Sequence, residues 1–151
     1  MNTWISTATW GVISIVLLVK TAYAVDTIGT VKTVKGDVSI MRDDHPIKAT
    51  VGSQLFAMDR ITTGRDSSVG ITLQDSTLLS FGAKSNSQLN EFQYDPVKRD
   101  GNLLISVFKG SMRFVTGLLG KLHPESVSIH LPSATLGIRG TDFIVSVEGG
   151  D

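Results

Sequence analysis

The chain has no cysteine and no net charge, with 14 basic and 14 acidic side chains among its 151 residues. The absence of cysteine excludes disulfides, thiolate nucleophiles and cysteine-based zinc sites, and it is compatible with an oxidising compartment. A neutral chain lacks the positive field on which nucleic-acid binding and tight binding to anionic lipid depend. We therefore expect no nucleic-acid partner. The length is typical of a single domain with its own hydrophobic core.

The N-terminus has the features of a secretory signal peptide. Residues 10–19 form an apolar run of about 10 residues, shorter than the roughly 20 that span a bilayer. Ala22-Tyr23-Ala24 then provides a small-x-small cleavage signature. No Lys or Arg precedes the run, so a buried core helix or an uncleaved anchor is the alternative. We predict a signal peptide at residues 1–24, cleavage near Ala24, and an exported, periplasmic mature chain without a spanning helix.

Short segments with alternating apolar and polar residues dominate the rest of the chain. The clearest are residues 38–40, 69–73, 127–131 and 143–147, and polar turn residues close each of them. This period-two pattern places one strand face in the core and the other toward water or a second layer. Most of the fifteen glycines fall at the turns. The pattern predicts an all-β domain of many short strands over residues 25–151.

Three segments depart from this pattern. Residues 103–108 (LLISVF) are continuously apolar and predict a strand buried on both faces. Residues 94–102 are the most polar and predict an exposed loop, whereas residues 117–122 predict one helical turn. The predicted core comprises the inward residues of the alternating segments and their neighbours: Val38, Ile40, Leu55, Ile61, Val69, Ile71, Leu73, Leu78, Leu104, Phe114, Val127, Ile129, Ile138, Phe143 and Val145.

The sequence contains no recognisable catalytic or cofactor motif. It lacks a G-x-S-x-G nucleophile elbow, a glycine-rich phosphate loop and an H-E-x-x-H pair. Asp43-Asp44-His45 is the only candidate for a weak cation site, and a solvated turn explains it better because the ligand spacing of a zinc site is missing. Paired carboxylates depend on the fold, and the acidic residues here lie mostly in turns. We predict no enzymatic activity, no metal and no cofactor.

Three groups of residues carry a family resemblance. They are GDVSI, VGSQL and DRITTG at residues 36–64, SSVGITL and DSTL at residues 67–78, and KGSMRF with PSATLGIRGTDF at residues 109–143. Together they resemble the FecR domain of bacterial envelope proteins, and G-x-R-G-T-x-F at residues 137–143 is the most specific part. The motif positions, with structural or partner-binding roles, are Gly36, Gly52, Asp59, Thr62, Gly64, Asp75, Gly110, Gly137, Arg139, Gly140, Thr141 and Phe143.

The resemblance implies an irregular β-solenoid or roll, with a two-sheet β-sandwich as the alternative, because alternation does not determine which strands are neighbours. Gly64 and Gly110 are expected where strands reverse, and Asp59 and Asp75 as acceptors for backbone N–H groups in turns. For Arg139 we expect a structural role, with the guanidinium bound to loop carbonyls or to Asp142.

The chain departs from its relatives at three places. Relatives usually have glycine where this chain has Met58 and Ser76, and Ser76 predicts a turn longer than a two-residue hairpin or differently shaped. Relatives also continue beyond the turn at residues 148–151. We therefore expect either truncation relative to those proteins or an open sheet edge that pairs with another molecule, including a second copy of this chain.

The function predicted first is a non-enzymatic cell-envelope module that binds or scaffolds a protein, a peptide or a glycan. The alternative, which the resemblance implies, is the periplasmic component of a transmembrane signal relay that controls a sigma factor. With only 24 residues before the predicted cleavage site, we expect another protein to convey that signal across the membrane.

Overall fold

A computed structural model describes residues 25–149, so the predicted signal peptide at residues 1–24 lies outside the described residues. The elements are β1 (Gly29–Lys35), β2 (Val38–Arg42), β3 (His45–Lys48), β4 (Gln54–Leu55), β5 (Arg60–Thr63), β6 (Ser68–Leu73), β7 (Leu78–Phe81), β8 (Asn86–Asp95), β9 (Asp100–Val115), α1 (Leu118–Leu122), a 3-10 helix (Pro124–Ser126), β10 (Val127–Leu131), β11 (Ala134–Gly137) and β12 (Asp142–Val147). No helix within this part of the chain is long and apolar enough to cross a membrane.

The predicted all-β fold is confirmed, and its form is a curled, open half-barrel. The strands join in one twelve-stranded sheet whose main path runs β3-β2-β5-β8-β9-β7-β6-β1-β4. Nearly all pairings are antiparallel, and the exception is β10, which runs parallel to β9. The apolar faces of the curled sheet meet inside it and form one continuous core.

Strand β9 organises the molecule because it borders four other strands. Its first half pairs with β8 and β10, and its second half pairs with β7 and β12. Gly110 lies between the two halves with φ +88°, a conformation that favours glycine. The same strand therefore contributes to both walls of the half-barrel.

Most residues of the predicted core are buried, but the prediction is wrong for Leu78. Leu78 is 44 % exposed, whereas Leu79 is fully buried. The preceding turn determines this register, because Asp75 and Thr77 both point inward and the period-two alternation continues from them into β7. Leu79 and Phe81 consequently take the inward positions.

Two further predictions about the core need correction. Residues 103–108 are not buried on both faces: Leu103, Ile105 and Val107 are buried, Leu104 is only half-buried and Phe108 is exposed. The outer face of β9 is therefore open to solvent. Phe143 is also half-buried, because β12 lies at the sheet's edge, although its ring stacks on Phe114 with centroids 5.2 Å apart.

The turns match the sequence only partly. The predicted helical turn is confirmed as α1. The predicted loop at residues 94–102 is mostly hairpin, since β8 and β9 pair as far as Asp95 and Asp100 and leave a four-residue turn. The turn between β6 and β7 is longer than two residues, as expected, but Ser76 itself takes φ +69°.

Candidate binding surface

Several motif glycines form a line of corners at which the chain passes from one wall of the half-barrel to the other. The corners lie at Gly36, Gly64, Gly82 and Gly110. Backbone bonds join them in order: Gly64 N–H donates to Asp37 O at 2.8 Å, Lys84 N–H to Gly64 O at 3.0 Å, and Gly82 N–H to Ser111 O at 3.0 Å. A Cβ at Gly36 would meet Ser67, and one at Gly110 would meet Ser85. Gly36 and Gly110 therefore leave no room for a side chain.

Thr63, the neighbour of the motif residue Thr62, is the threonine that forms hydrogen bonds within this corner line. Thr63 is buried, its hydroxyl donates to Gly82 O at 2.6 Å, and it accepts from Ser85 N–H at 2.8 Å. Thr62 alternates outward on β5 and is exposed. The sequence signal was available, since Thr63 shares the inward phase of Ile61.

Asp59 forms the most buried of the ion pairs found within residues 25–149. Its side chain is 1 % exposed, and its oxygens accept from Arg42 Nε at 2.8 Å and Arg42 Nη2 at 2.7 Å. It also accepts the Phe56 N–H at 2.9 Å, as the turn prediction required. The hydrogen bond to Asp59 raises the pKa of Arg42. The pair fixes the β4–β5 turn against β2, and Arg42 Nη2 also donates to Gln54 O of β4 at 3.0 Å.

Asp75 fastens the β6–β7 turn to α1. It is fully buried, and its carboxylate accepts Thr77 N–H at 3.0 Å, Thr77 Oγ1–H at 2.8 Å and Leu119 N–H at 3.2 Å. Its backbone carbonyl accepts Leu118 N–H. A carboxylate at the start of a helix is stabilised by the unpaired N–H groups there. Asp75 is therefore structural as well.

Four further motif residues lie together between β11 and β12. Gly137 ends β11, Arg139 and Gly140 form the connecting loop, and Thr141 leads into β12. Gly140 has φ +108°, and a Cβ at Gly137 would meet nothing within 4 Å. Gly52, a further motif glycine with positive φ, turns the chain before β4.

Arg139 bonds neither to the loop carbonyls nor to Asp142, the two kinds of partner expected for it. Asp142 is bound by Arg113 of the neighbouring strand β9, through Nε at 2.9 Å and a second bond from Nη2. The hydrogen bond from Arg113 lowers the pKa of Asp142 below its ordinary value. Arg139 is exposed, and its guanidinium has no hydrogen-bond partner among residues 25–149. The sequence could not reveal Arg113, which is 29 positions away.

The loop at residues 138–141 covers a recess, here called the Arg139 recess. Its volume is about 350 Å³. Thr116 anchors the loop, because its hydroxyl donates to Gly140 O at 3.0 Å and its N–H to Thr141 O at 2.8 Å. The lining residues are Thr116, Gly120, Lys121, Pro124, Ile138, Arg139, Gly140 and Thr141. Sequence reasoning identified three of them as motif positions and missed Thr116 and Lys121.

Strand β12 follows this loop and has an uncovered edge. It pairs with β9 on one side, and no strand within residues 25–149 pairs with the other. Strand β11 likewise has β10 as its only neighbour in the described part of the chain. On the inner side of these edges, Leu136, Phe143 and Val147 are only partly buried against the core. The half-barrel is open along this rim.

Asp43-Asp44-His45, the segment for which the sequence favours a solvated turn over a weak cation site, is a tight turn between β2 and β3. Asp43 and Asp44 both have positive φ, and His45 Nδ1 lies 2.7 Å from the Asp43 carbonyl oxygen. Across residues 25–149, no three His, Asp or Glu side chains come together as a group that could hold a metal ion.

One of three comparisons with known proteins finds a match. Residues 59–151 match the family described as FecR protein, a span that includes Asp59, Asp75 and the loop at 138–141. Comparison with curated proteins and with solved structures gives no match. Members of the matching family are regulatory signalling proteins and are not known as enzymes. Since the match covers more than half of the chain, the chain belongs to the FecR family.

Proposed function

We propose that this chain is the periplasmic, protein-binding component of a FecR-type signal relay, and that it receives a partner strand at the free edge of β12. The observation that carries the proposal is the uncovered edge of β12 at the rim of an open half-barrel. The leader-like residues 1–24 and the family support the periplasmic location.

The composition of β12 supports strand addition. Natural proteins usually protect an exposed edge with charge, proline or a bulge. Residues 143–147 (FIVSV) contain no charge, no proline and no glycine, and their register with β9 is regular. Ile144 is 70 % exposed on the outer face. An edge of this kind is suited to main-chain pairing with another polypeptide.

The alternation of hydrogen bonds between β12 and β9 indicates which backbone groups of β12 face the open side. Thr116 N–H donates to Thr141 O, and bonded residues alternate along an antiparallel ladder. Residues 143, 145 and 147 therefore bond to β9, whereas the N–H and C=O groups of residues 142, 144 and 146 face the open side. A partner strand with apolar residues at alternate positions would extend the core beside Phe143 and Val147.

The family favours relay over the scaffolding role that the sequence ranked first, because FecR proteins are generally parts of transmembrane signal-relay regulators. In a relay of this kind the partner is another protein. Strand addition would make binding depend on whether that protein exposes an extended segment.

The test compares two variants at one position. Ile144→Pro removes an N–H on the open side and leaves the β9 ladder intact, because proline is tolerated on an edge strand whose N–H faces solvent. Ile144→Thr changes the same side chain and keeps the N–H. We expect an outer-membrane transducer to be captured from solubilised membranes by the wild type and Ile144→Thr, and about tenfold less by Ile144→Pro.

Circular dichroism and thermal unfolding establish that both variants are folded. Equal capture by the two variants would exclude strand addition at β12. Recovery of peptidoglycan or a structural complex in place of a transducer would favour the scaffolding role.

A further inference from the structure

The Arg139 recess has an excess of positive charge. Lys121 and Arg139 both line it, and its lining contains neither Asp nor Glu. The ion pairs formed within residues 25–149 are Arg42–Asp59, Arg113–Asp142 and His123–Glu125. The two cations of the recess take part in none of these pairs.

The backbone of the covering loop adds hydrogen-bond donors. The carbonyls of Gly140 and Thr141 are both occupied by Thr116. None of the N–H groups of residues 138–141 donates to another residue of the described chain. Successive free N–H groups around a residue with positive φ, here Gly140, form a concavity that attracts anions.

A larger cavity on the same domain has the opposite character. Its volume is about 610 Å³, and Asp26, Asp95 and Asp100 line it together with a single cation, Lys98. An anion gains nothing from that cavity, because its net charge is negative. Within the described chain the two cavities therefore differ in the sign of the charge that they favour.

We propose that the Arg139 recess binds an oxyanion, either the carboxylate of an acidic peptide or a phosphate group. The guanidinium of Arg139 offers a planar fork that matches either group with two hydrogen bonds, and Lys121 adds a point charge. The unbonded N–H groups of the covering loop are further candidate donors. The floor of Ile138, Gly120 and Pro124 is apolar, so the recess has room and a suitable surface for the organic part of such a ligand.

This inference goes beyond the proposed function and does not depend on it. The recess is built from α1, residue 116 and the loop at 138–141, whereas strand addition uses residues 142–147. The Ile144→Pro variant should therefore bind the oxyanion as the wild type does, and loss of partner capture would leave the recess unaffected.

The experiment is an NMR titration of the full chain, with amide shifts followed at constant ionic strength in chloride. The probes are inorganic phosphate and N-acetyl-glutamate amide, with N-acetyl-glutamine amide as the neutral control. We expect saturable shifts at Gly120, Lys121, Arg139, Gly140 and Thr141. Saturation by phosphate alone assigns a phosphate-bearing ligand, saturation by the glutamate probe alone assigns an acidic peptide, and saturation by both supports a general oxyanion site.

Charge variants provide the matched comparison. Arg139→Gln should weaken binding about tenfold, and Arg139→Lys should weaken it less, because it retains the charge and loses the fork. Lys48→Gln makes the same charge change in the exposed edge strand β3 and should leave the affinity unchanged. The proposal is overturned if neither anion produces a saturable shift, or if Arg139→Gln and Lys48→Gln bind as the wild type does.

Discussion

The corner line and the open rim both contain glycines and carboxylates, but the surroundings of these residues differ between the two regions. At the corners, Gly36 and Gly110 are required by neighbours, since a Cβ at either would collide with Ser67 or Ser85. At the rim, a Cβ at Gly137 would meet open space. The carboxylates differ similarly: Asp59 is 1 % exposed, whereas the Asp142 side chain is 42 % exposed.

This difference separates the motif into two parts. Residues that hold the half-barrel together are buried and fully bonded, as Asp75 and Thr63 are. Gly137, Arg139, Gly140 and Thr141 of the other segment are exposed, and only Ile138 between them is buried. The motif residues of the corner line therefore stabilise the fold, and those of the rim are accessible to other molecules.

The largest effect should come from Gly110→Ala. A Cβ there would lie 2.5 Å from Ser85 Cα, and alanine disfavours φ +88°. We expect a loss of about 3 kcal/mol or more in the free energy of unfolding, measured by urea denaturation. Gly137→Ala is the matched control and should change it by less than about 0.5 kcal/mol. Similar losses in both variants would contradict the division between corner and rim.

Removal of Arg42 should have the next largest effect. Arg42→Met leaves the buried carboxylate of Asp59 with only the Phe56 N–H, at a cost of about 2–4 kcal/mol in unfolding free energy. Adding Asp59→Asn removes the uncompensated charge and should recover part of the loss. Chemical denaturation of the two single variants and the double variant measures the coupling, and strictly additive losses would show that the pair is not coupled.

The smallest effect should be a gain at Met58. This residue has φ +71° and is 60 % exposed, so a side chain is strained there and contributes little burial. Met58→Gly should stabilise the domain by about 0.5–1 kcal/mol. Met58→Ala retains the Cβ and serves as the control in the same thermal-unfolding series. A gain of equal size in Met58→Ala would attribute the effect to the exposed side chain.

Local pattern predicted much of the fold. Alternation correctly placed β2, β6, β10 and β12, because a half-buried strand imposes a period of two on its sequence. It failed at Leu78 and Leu104 for one reason. Each has an apolar neighbour in the sequence, so either of the two residues could face the core. The adjoining turn or strand determines which of them does.

Contacts between distant residues could not be predicted from the sequence. The partner of Asp142 is Arg113 on β9, and the carboxylate of Asp75 reaches Leu119 across 44 positions. Thr116 lines the Arg139 recess because it is bonded to Gly140 and Thr141, and Lys121 lines it from α1. The open rim is a property of strand order, which alternation does not encode.

Strand β9 has a mechanical consequence. A tether attached to β12 would load its hydrogen bonds with the second half of β9, and the covalent chain would carry that tension past Gly110 to the ladders with β8 and β10. A pulling force on β12 is thus transmitted through the backbone of β9 to the opposite wall of the half-barrel, and the core side chains do not carry it.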